Sequence, residues 1–510
     1  MNVAELLSFQ PEKPSLTAKR KKEDEDQPAG KKKATTEVSF AEKDDVLQLV
    51  EEEPEGDPVD DTSLKKMILQ FEKKVLKNQE MRIKFPDIPE KFMESEVELN
   101  EEIQNMHVVA TMPDMYHILV SLNAVQTLMT LLAHENTDIS IGVVDLLQEL
   151  TDVDTLNESD EGATALVDAL MEAQVVAQLV HNLERLDESI KEESDGVHNT
   201  LGIIENLTEF RPESCVDAVQ QGLLTWLLKR LKAKMPFDAN KLYASEILAI
   251  LLQNHDENRQ TLGEVDGIDV LLQQLAVYKR HDPSTAEEVE MMENLFNCLC
   301  SALMLPANRE KFLKGEGLQL MNLMLRERKM SRTCAVKVLN HAMSGPEGAD
   351  NCQKYVDILG LRSIFPLFMK TPKRTKKVGP TTEELEEHIV SVIGSMLRNC
   401  QGQQRQRLLN KFTENDHEKV DRLMELHFQY LDKVRMVDAK IEKERNDVKF
   451  FGGNIDDDME DQFYLRRLEA GLFTLQLVDY VMLEVCTSGP SSIKQRVHQI
   501  LNMRGGSFKT

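Results

Sequence analysis

Apolar residues recur at helical spacing along most of the chain, in a pattern that itself repeats. A Gly, or a small or polar residue, precedes an apolar run close to the form LxxLL, and a polar turn and a second amphipathic segment follow. The runs begin near Asn123, Ala173, Gly222, Gly267, Gly317 and Gly360. Their spacing of about 43–50 residues is typical of armadillo and HEAT repeats, which stack because one repeat cannot bury its apolar face alone.

The second segments carry apolar residues near positions i, i+3, i+4 and i+7, and alternating strand patterns are absent from the sequence. They are residues 139–152, 196–210, 243–254, 289–303 and 331–343. We therefore predict an all-α fold. It is an armadillo/HEAT-type right-handed helical solenoid with a disordered N-terminal tail and C-terminal capping helices.

The domain boundaries follow from changes in composition. Residues 1–61 are polar, contain five prolines and carry blocks of like charge, which predicts a disordered tail. Residues 62–98 form an N-terminal helix, capped by Ser63, and a linker; residues 99–414 form the repeats. Residues 415–510 form a C-terminal helical extension and cap, in which 418–445 is one long charged helix and 463–486 one apolar helix.

The charge is strongly negative and unevenly distributed. Among 510 residues, 61 are basic and 88 acidic, a net charge of -27 that disfavours non-specific nucleic-acid binding. Between Phe92 and Glu184 there are 18 acidic residues and no Lys or Arg. No apolar run reaches the roughly 18 residues that a membrane-spanning helix needs.

No motif for catalysis or for a cofactor stands out. The glycine-rich phosphate-binding patterns, the paired-histidine zinc motif and the nucleophile elbow are all absent from the sequence. The seven cysteines are scattered without a C-x-x-C pair, which disfavours a zinc site and favours a reducing compartment. We predict no enzyme, no cofactor and no metal.

Two basic clusters lie in the N-terminal tail and predict a nuclear localisation signal. They are Lys19, Arg20, Lys21 and Lys22, and then Lys31, Lys32 and Lys33. An import receptor of the importin alpha type would bind them, because it accommodates extended basic peptides in acidic pockets. The alternative is a solvated charge run without a receptor.

The base-free region contains a candidate partner-binding surface. Asp145, Glu149 and Asp152 are spaced i, i+4 and i+7, which predicts one helix face. Like charges at this spacing destabilise a helix by a few tenths of a kcal/mol, so an uncompensated row suits a basic partner. Glu205 and Glu209, then Glu246 and Glu293, would continue the acidic path. The alternative is a solubilising face.

Several long strings resemble one known family. They include KKMILQFEKKVLKNQEMRIKFPDIPEKFMESE, LLKRLKAKMPFDANKLY and KQRVHQILNMRG, and the similarity runs from Met1 to about Gly505. The sequence resembles the β-catenin-like protein 1 family of armadillo-repeat, spliceosome-associated nuclear proteins. The resemblance implies a non-enzymatic scaffold of pre-mRNA splicing in the nucleus that binds basic, nuclear-localisation-type segments.

The resemblance also implies partners. They are splicing factors of the Prp-nineteen complex, including its Myb-like cell-division-cycle-five component, and the activation-induced cytidine deaminase. No nucleic acid or membrane is implied. A homodimer through the apolar C-terminal helix remains an alternative for assembly.

The alternative function is that of an import-receptor-like transport factor. Armadillo import receptors, which this sequence resembles in fold, carry Trp and Asn four residues apart on successive inner helices. Asn206 and Asn340 are near such positions, but Gly202 and Val336 stand where the Trp residues would be. If basic peptides bind here, carboxylates therefore carry more of the recognition.

Overall fold

A computed structural model describes residues 60–232, 234, 236–373, 379–451 and 455–505. Within these ranges the regular structure is helical and contains no strand, which confirms the predicted all-α class. Both basic clusters of the tail lie outside the described residues. The described part divides into two compact units, residues 60–210 and residues 211–505.

The first unit holds nine α-helices and two 3-10 turns, Met106–Thr111 and Pro113–Met115. The helices are α1 Asp61–Lys84, α2 Pro89–Asn105, α3 Tyr116–Ser121, α4 Ala124–Leu131, α5 Thr137–Leu150, α6 Val153–Leu156, α7 Asp160–Glu172, α8 Val175–Leu183 and α9 Lys191–Phe210.

The second unit holds the remaining described helices, with 3-10 turns at Ala276–Lys279, Pro346–Gly348 and Lys411–Thr413. They are α10 Ser214–Gln220, α11 Leu223–Lys232, α12 Ala239–Leu252, α13 Asp256–Glu264, α14 Gly267–Leu275, α15 Ala286–Ala302, α16 Pro306–Lys314, α17 Gly317–Glu327, α18 Ser331–Met343, α19 Ala349–Asp357, α20 Leu361–Met369, α21 Thr382–Asn399, α22 Gly402–Asn410, α23 Glu418–Phe450, α24 Asp457–Glu469, α25 Leu472–Ser488 and α26 Ser491–Met503.

Each repeat contains three helices rather than the two that the apolar pattern shows. A first helix such as α13 precedes the predicted pair, here α14 and α15, and this is the armadillo arrangement. A residue one or two positions before each second helix adopts a left-handed backbone conformation that reverses the chain. These residues are Asn123, Gln174, Gly222, Asp266, Glu316 and Leu359, with φ between 55° and 100°.

Helices of the same rank stack on one another within each unit. In the first unit the third helices α5 and α9 pack together, and α2 packs on the other side of α5. In the second unit the third helices α12, α15, α18 and α21 form one row. We call the row of third helices in each unit its inner row. These rows are built from the segments that carry the predicted acidic residues.

Buried asparagines in the first helices fasten neighbouring repeats of the second unit. The amide of Asn258 donates to the carbonyl oxygens of Cys215 and Leu251, at 3.1 and 2.7 Å. Asn308 makes the equivalent bonds to the carbonyls of Arg259 and Ala302, at 2.7 and 3.0 Å. Leu251 and Ala302 lie at the ends of third helices, whereas Cys215 and Arg259 lie in the first helices of the preceding repeats. Each amide therefore links successive first helices and the third helix between them.

The C-terminal helices continue the order of the repeats. Helix α22 packs on the preceding first helix and α25 packs on α21, the preceding third helix. The long helix α23 lies between them in sequence, and α24 packs against it as an inserted element.

Two local predictions in this region and at the N-terminus are wrong. The apolar segment 463–486 is not one helix: it breaks before Gly471, whose φ of 97° is left-handed, and a Cβ there would lie 2.4 Å from the Tyr430 ring. Ser63 is not the cap of α1, because the Asp60 carboxylate accepts the Ser63 backbone N–H at 2.8 Å and starts the helix earlier.

Among the described helices, none alone is long and apolar enough to cross a membrane. Two bent pairs, α7 with α8 and α24 with α25, meet such a length and composition only when taken together.

Candidate functional site

Asp145 lies in the middle of α5, on the inner row of the first unit. The helix begins where the Asn136 side chain accepts the Asp138 backbone N–H at 3.0 Å, and its apolar residues bury the opposite face. Asp145 itself is half-buried, and its Oδ1 accepts a hydrogen bond from the Asn199 amide of α9 at 2.8 Å. The carboxylate is therefore held at the contact between two successive third helices.

Glu149 follows one turn later and is exposed. Its Oε2 lies 2.7 Å from Nδ1 of His107, which the 3-10 turn Met106–Thr111 places beside α5. Half of the Glu149 side-chain surface remains accessible, at 50%. The carboxylate therefore has a neighbour that carries positive charge only when protonated, and it keeps a free side toward solvent.

Asp152 does not share the face of Asp145 and Glu149, contrary to the predicted spacing. Helix α5 ends at Leu150, and Asp152 caps the single-turn helix α6. Its Oδ1 accepts the backbone N–H groups of Asp154 and Thr155, at 3.1 and 3.2 Å. A carboxylate in this role satisfies helix-start donors, so we do not include it in the site.

A residue that the sequence reasoning missed completes the cluster. Asp195 is exposed on α9, one turn before Asn199, and its charge acts on Asp145. Glu209 lies fourteen residues further along α9 and is also exposed; this spacing returns it to the side of Asp195. We call Asp145, Glu149, Asp195 and Glu209 the acidic face.

Burial raises the pKa of Asp145 above its ordinary value. The hydrogen bond from Asn199 and the charge of His107 oppose this pKa shift, and the charges of Glu149 and Asp195 add to it. The ionised carboxylate is therefore held at an energetic cost to the fold. A charge kept at a cost in a polar cluster is more typical of a binding site than of a structural contact.

Apart from His107, the described part of the chain gives Asp145, Glu149 and Asp195 no basic ion-pair partner. Among the described residues, no Lys or Arg forms an ion pair with Asp145, Glu149 or Asp195. Lys191, one turn before Asp195 on α9, is exposed, and Arg185 donates to the backbone carbonyls of Leu132 and His134.

The other predicted acids differ from the acidic face. Glu205 is half-buried on α9 and already engaged in an interaction. Glu246 and Glu293 belong to the second unit; Glu246 is also engaged, and Glu293 accepts the backbone N–H of Gly379. The acidic path is thus concentrated on α5 and α9.

The described residues hold no group of three or more His, Cys, Asp or Glu side chains arranged to bind a metal ion. Burial raises the pKa of the Cys215 and Cys334 thiols to about 11. Such thiols stay protonated at neutral pH and are poor nucleophiles. The chemistry that the acidic face can perform is electrostatic binding.

Comparison with known proteins places the chain in a wider group. The model of a family described as catenin-beta-like, Arm-motif containing nuclear matches residues 44–510. Beta-catenin-like protein 1 of Bos taurus is 72% identical over 452 residues, covering 89% of this chain and 80% of that protein. The Homo sapiens protein of the same name is 71% identical over 452 residues, with the same coverage.

A more distant relative matches over nearly the same length of the chain. Beta-catenin-like protein 1 homolog of Schizosaccharomyces pombe is 32% identical over 461 residues, covering 88% of this chain and 77% of that protein.

Proposed function

The chain belongs to the catenin-beta-like family of Arm-motif-containing nuclear proteins, and we propose that it is a non-enzymatic adaptor of the pre-mRNA splicing machinery. In this proposal it binds basic, nuclear-localisation-type segments of splicing factors. The partners are components of the Prp-nineteen complex, including the Myb-like cell-division-cycle-five protein, and the activation-induced cytidine deaminase. Importin alpha would bind the tail clusters and carry the protein to the nucleus.

The acidic face carries the proposal. Asp145, Glu149 and Asp195 lie on two adjacent helices, form no ion pair with a described Lys or Arg, and leave exposed oxygens. Ammonium and guanidinium groups of an extended basic segment would supply the missing counter-charge and donate hydrogen bonds. Stacked helices repeat at a regular distance, which suits a partner with basic residues at intervals.

The alternative, an import-receptor-like transport factor, receives less support from the inner rows. Gly202 and Val336 are buried, and neither offers the aromatic shelf of that family. The amide of Asn340 is already 3.2 Å from Nδ1 of His388 on the next third helix. Recognition by carboxylates remains the better-supported mode.

The binding proposal is tested with a fluorescent synthetic bipartite nuclear-localisation-type peptide and the full chain. The variant Asp145→Asn/Glu149→Gln/Asp195→Asn removes three charges. If each contributes about 0.5–0.7 kcal/mol, affinity falls about 10- to 35-fold. Higher salt should reduce the wild-type affinity, because exposed charges are screened over about 8 Å at physiological ionic strength.

The matched control removes three exposed acids of the same unit, in Glu158→Gln/Glu161→Gln/Glu172→Gln. It changes the net charge equally and should keep affinity within about twofold. Equal losses in both triple variants would show a general charge effect and refute the site. A pull-down from nuclear extract then tests the biology: splicing subunits support the adaptor, and import carriers support the alternative.

A further inference from the structure

Helix α1 exposes a line of large apolar side chains. Leu69, Leu76 and Ile83 are 63%, 58% and 82% exposed. Their spacing of seven residues places them along one side of the helix, about 21 Å in length. The buried side of α1 is a different one, formed by residues such as Leu64 and Phe71. We call Leu69, Leu76 and Ile83 the α1 stripe.

Lysines border the α1 stripe along one edge. Lys66, Lys73 and Lys84 are exposed, and none forms a salt bridge with a residue that the structure describes. Lys77, in contrast, pairs with Glu98 at 2.6 Å. Glu80, also exposed, lies between Lys73 and Lys84 on the same edge, and Lys84 also lies over the Phe85 ring at 5.4 Å. The edge keeps a net positive charge, and an apolar line beside it fits an amphipathic segment that is acidic.

The chain contains a segment of that chemistry directly before α1. Residues 44–57, DDVLQLVEEEPEGD, carry seven acidic and no basic residues, and they include Val46, Leu47, Leu49 and Val50. The family match begins at Asp44 and so includes this segment, whereas the basic clusters at 19–33 lie outside it.

The distances allow the segment to reach the stripe. Residues 51–60 separate its apolar part, 46–50, from α1, and ten extended residues span up to about 33 Å. The middle of the stripe, at Leu76, lies about 24 Å along the helix from its N-cap. A segment tethered this closely has an effective concentration of about 1 mM, so modest intrinsic affinity suffices.

We propose that the segment 44–50 binds the α1 stripe of its own chain. The apolar residues, which span about 13 Å when extended, pack along the stripe around Leu76, and the acidic residues that flank them face the bordering lysines. The stripe is then a docking surface for acidic amphipathic segments that its own tail occupies, separate from the acidic face on α5 and α9.

The test measures a labelled peptide of residues 44–55 binding in trans to the full chain. In the disabled-tail variant, Val46→Ser, Leu47→Ser, Leu49→Ser and Val50→Ser remove the competing segment. With a peptide Kd near 100 μM and an effective concentration near 1 mM, this variant should bind about tenfold more tightly than wild type.

Further variants of the disabled-tail chain locate the contact. Leu69→Ser/Leu76→Ser/Ile83→Ser should abolish peptide binding, and Lys66→Glu/Lys73→Glu/Lys84→Glu should weaken it at least fivefold. The matched control Leu483→Ser/Met503→Ser changes exposed apolar residues of the second unit and should leave binding unchanged. No peptide binding to the disabled-tail chain, or equal binding to it and to wild type, overturns the proposal.

Disulfide trapping distinguishes binding by the tail of the same chain from binding by the tail of a second copy. Leu49→Cys/Leu76→Cys in a Cys486→Ser background should form an intramolecular bond, because the other cysteines are buried. Gln48→Cys/Leu76→Cys, with the same tether, should form it at least fivefold more slowly. A dimer band in place of the intramolecular product would assign the stripe to a second copy and refute binding in cis.

Discussion

A buried carboxylate joins the last complete repeat to the long helix α23. Glu386 on α21 accepts hydrogen bonds from Arg422 at 2.8 Å and from the Tyr430 hydroxyl at 2.7 Å. The side chains of Glu386 and Arg422 are only 8% and 12% exposed. Arg422 also donates to the Phe368 carbonyl at 3.2 Å. We predict that this network, rather than surface charge, fixes α23 on the repeats.

The change Arg422→Met keeps the aliphatic packing and removes the guanidinium. An unpaired buried carboxylate costs about 3–5 kcal/mol. Because Tyr430 still donates to Glu386, we expect a loss near the lower end, about 3 kcal/mol. Glu386→Gln/Arg422→Met leaves no buried charge, so it should be less destabilised than the sum of its two single variants by about 2 kcal/mol.

Urea unfolding followed by circular dichroism measures the free energy of unfolding of four proteins: wild type, Arg422→Met, Glu386→Gln and the double variant. The matched control is Lys433→Met, which removes an exposed ion pair with Glu383 at 3.5 Å and should cost less than about 1 kcal/mol. A loss below about 1 kcal/mol for Arg422→Met, or a double variant equal to the sum, would refute the reasoning. It would show that Glu386 relaxes toward water once its partner is gone.

Two other predictions concern a charge and a turn. The pKa of Asp145 is raised in the folded protein, which means that the fold favours the protonated carboxyl group. The stability that this preference contributes is present at acid pH and is lost as the pH rises through the pKa of the folded protein. Asp145→Asn should therefore stabilise more at pH 7.5 than at pH 4 in thermal melts, and a uniform loss would contradict this. Gly471→Ala should cost about 2–4 kcal/mol in urea unfolding, from left-handed strain and the Tyr430 contact. Gly402→Ala, with φ of 52° and no neighbour within 4 Å, should cost about 1 kcal/mol; equal costs would exclude the Tyr430 contact as the cause.

Periodicity alone was sufficient to predict the second and third helices of each repeat. Their apolar residues stand at helical spacing because each buries one face against the next repeat. The first helix Asp160–Glu172 buries apolar residues at helical spacing, and the prediction missed it. Other first helices escaped the same reasoning because segments such as DENRQTLGE at 256–264 are almost wholly polar. They are held by side-chain to backbone bonds such as those of Asn258, which leave no apolar pattern to detect.

The acidic face was predictable in part. Asp145 and Glu149 share a helix, so their spacing placed them together. Their partners Asn199 and His107 are 54 and 42 residues away in sequence, and contacts between repeats leave no local signal. The predicted position of Asp152 was wrong because the sequence spacing does not distinguish a residue on the helix face from a cap of the next helix. The distinction requires the residue at which the first helix ends.

The left-handed turns before the second helices hold backbone strain that lowers the thermal stability of the fold. Five of the six positions carry a side chain, at Asn123, Gln174, Asp266, Glu316 and Leu359. A non-glycine residue in this conformation sacrifices about 1 kcal/mol, less for Asn and Asp. Glycine would remove this strain but would add unfolded-chain entropy that costs about 0.4–1 kcal/mol. A net gain in heat resistance is therefore expected at Gln174, Glu316 and Leu359, while every helix face and its binding chemistry stay as they are.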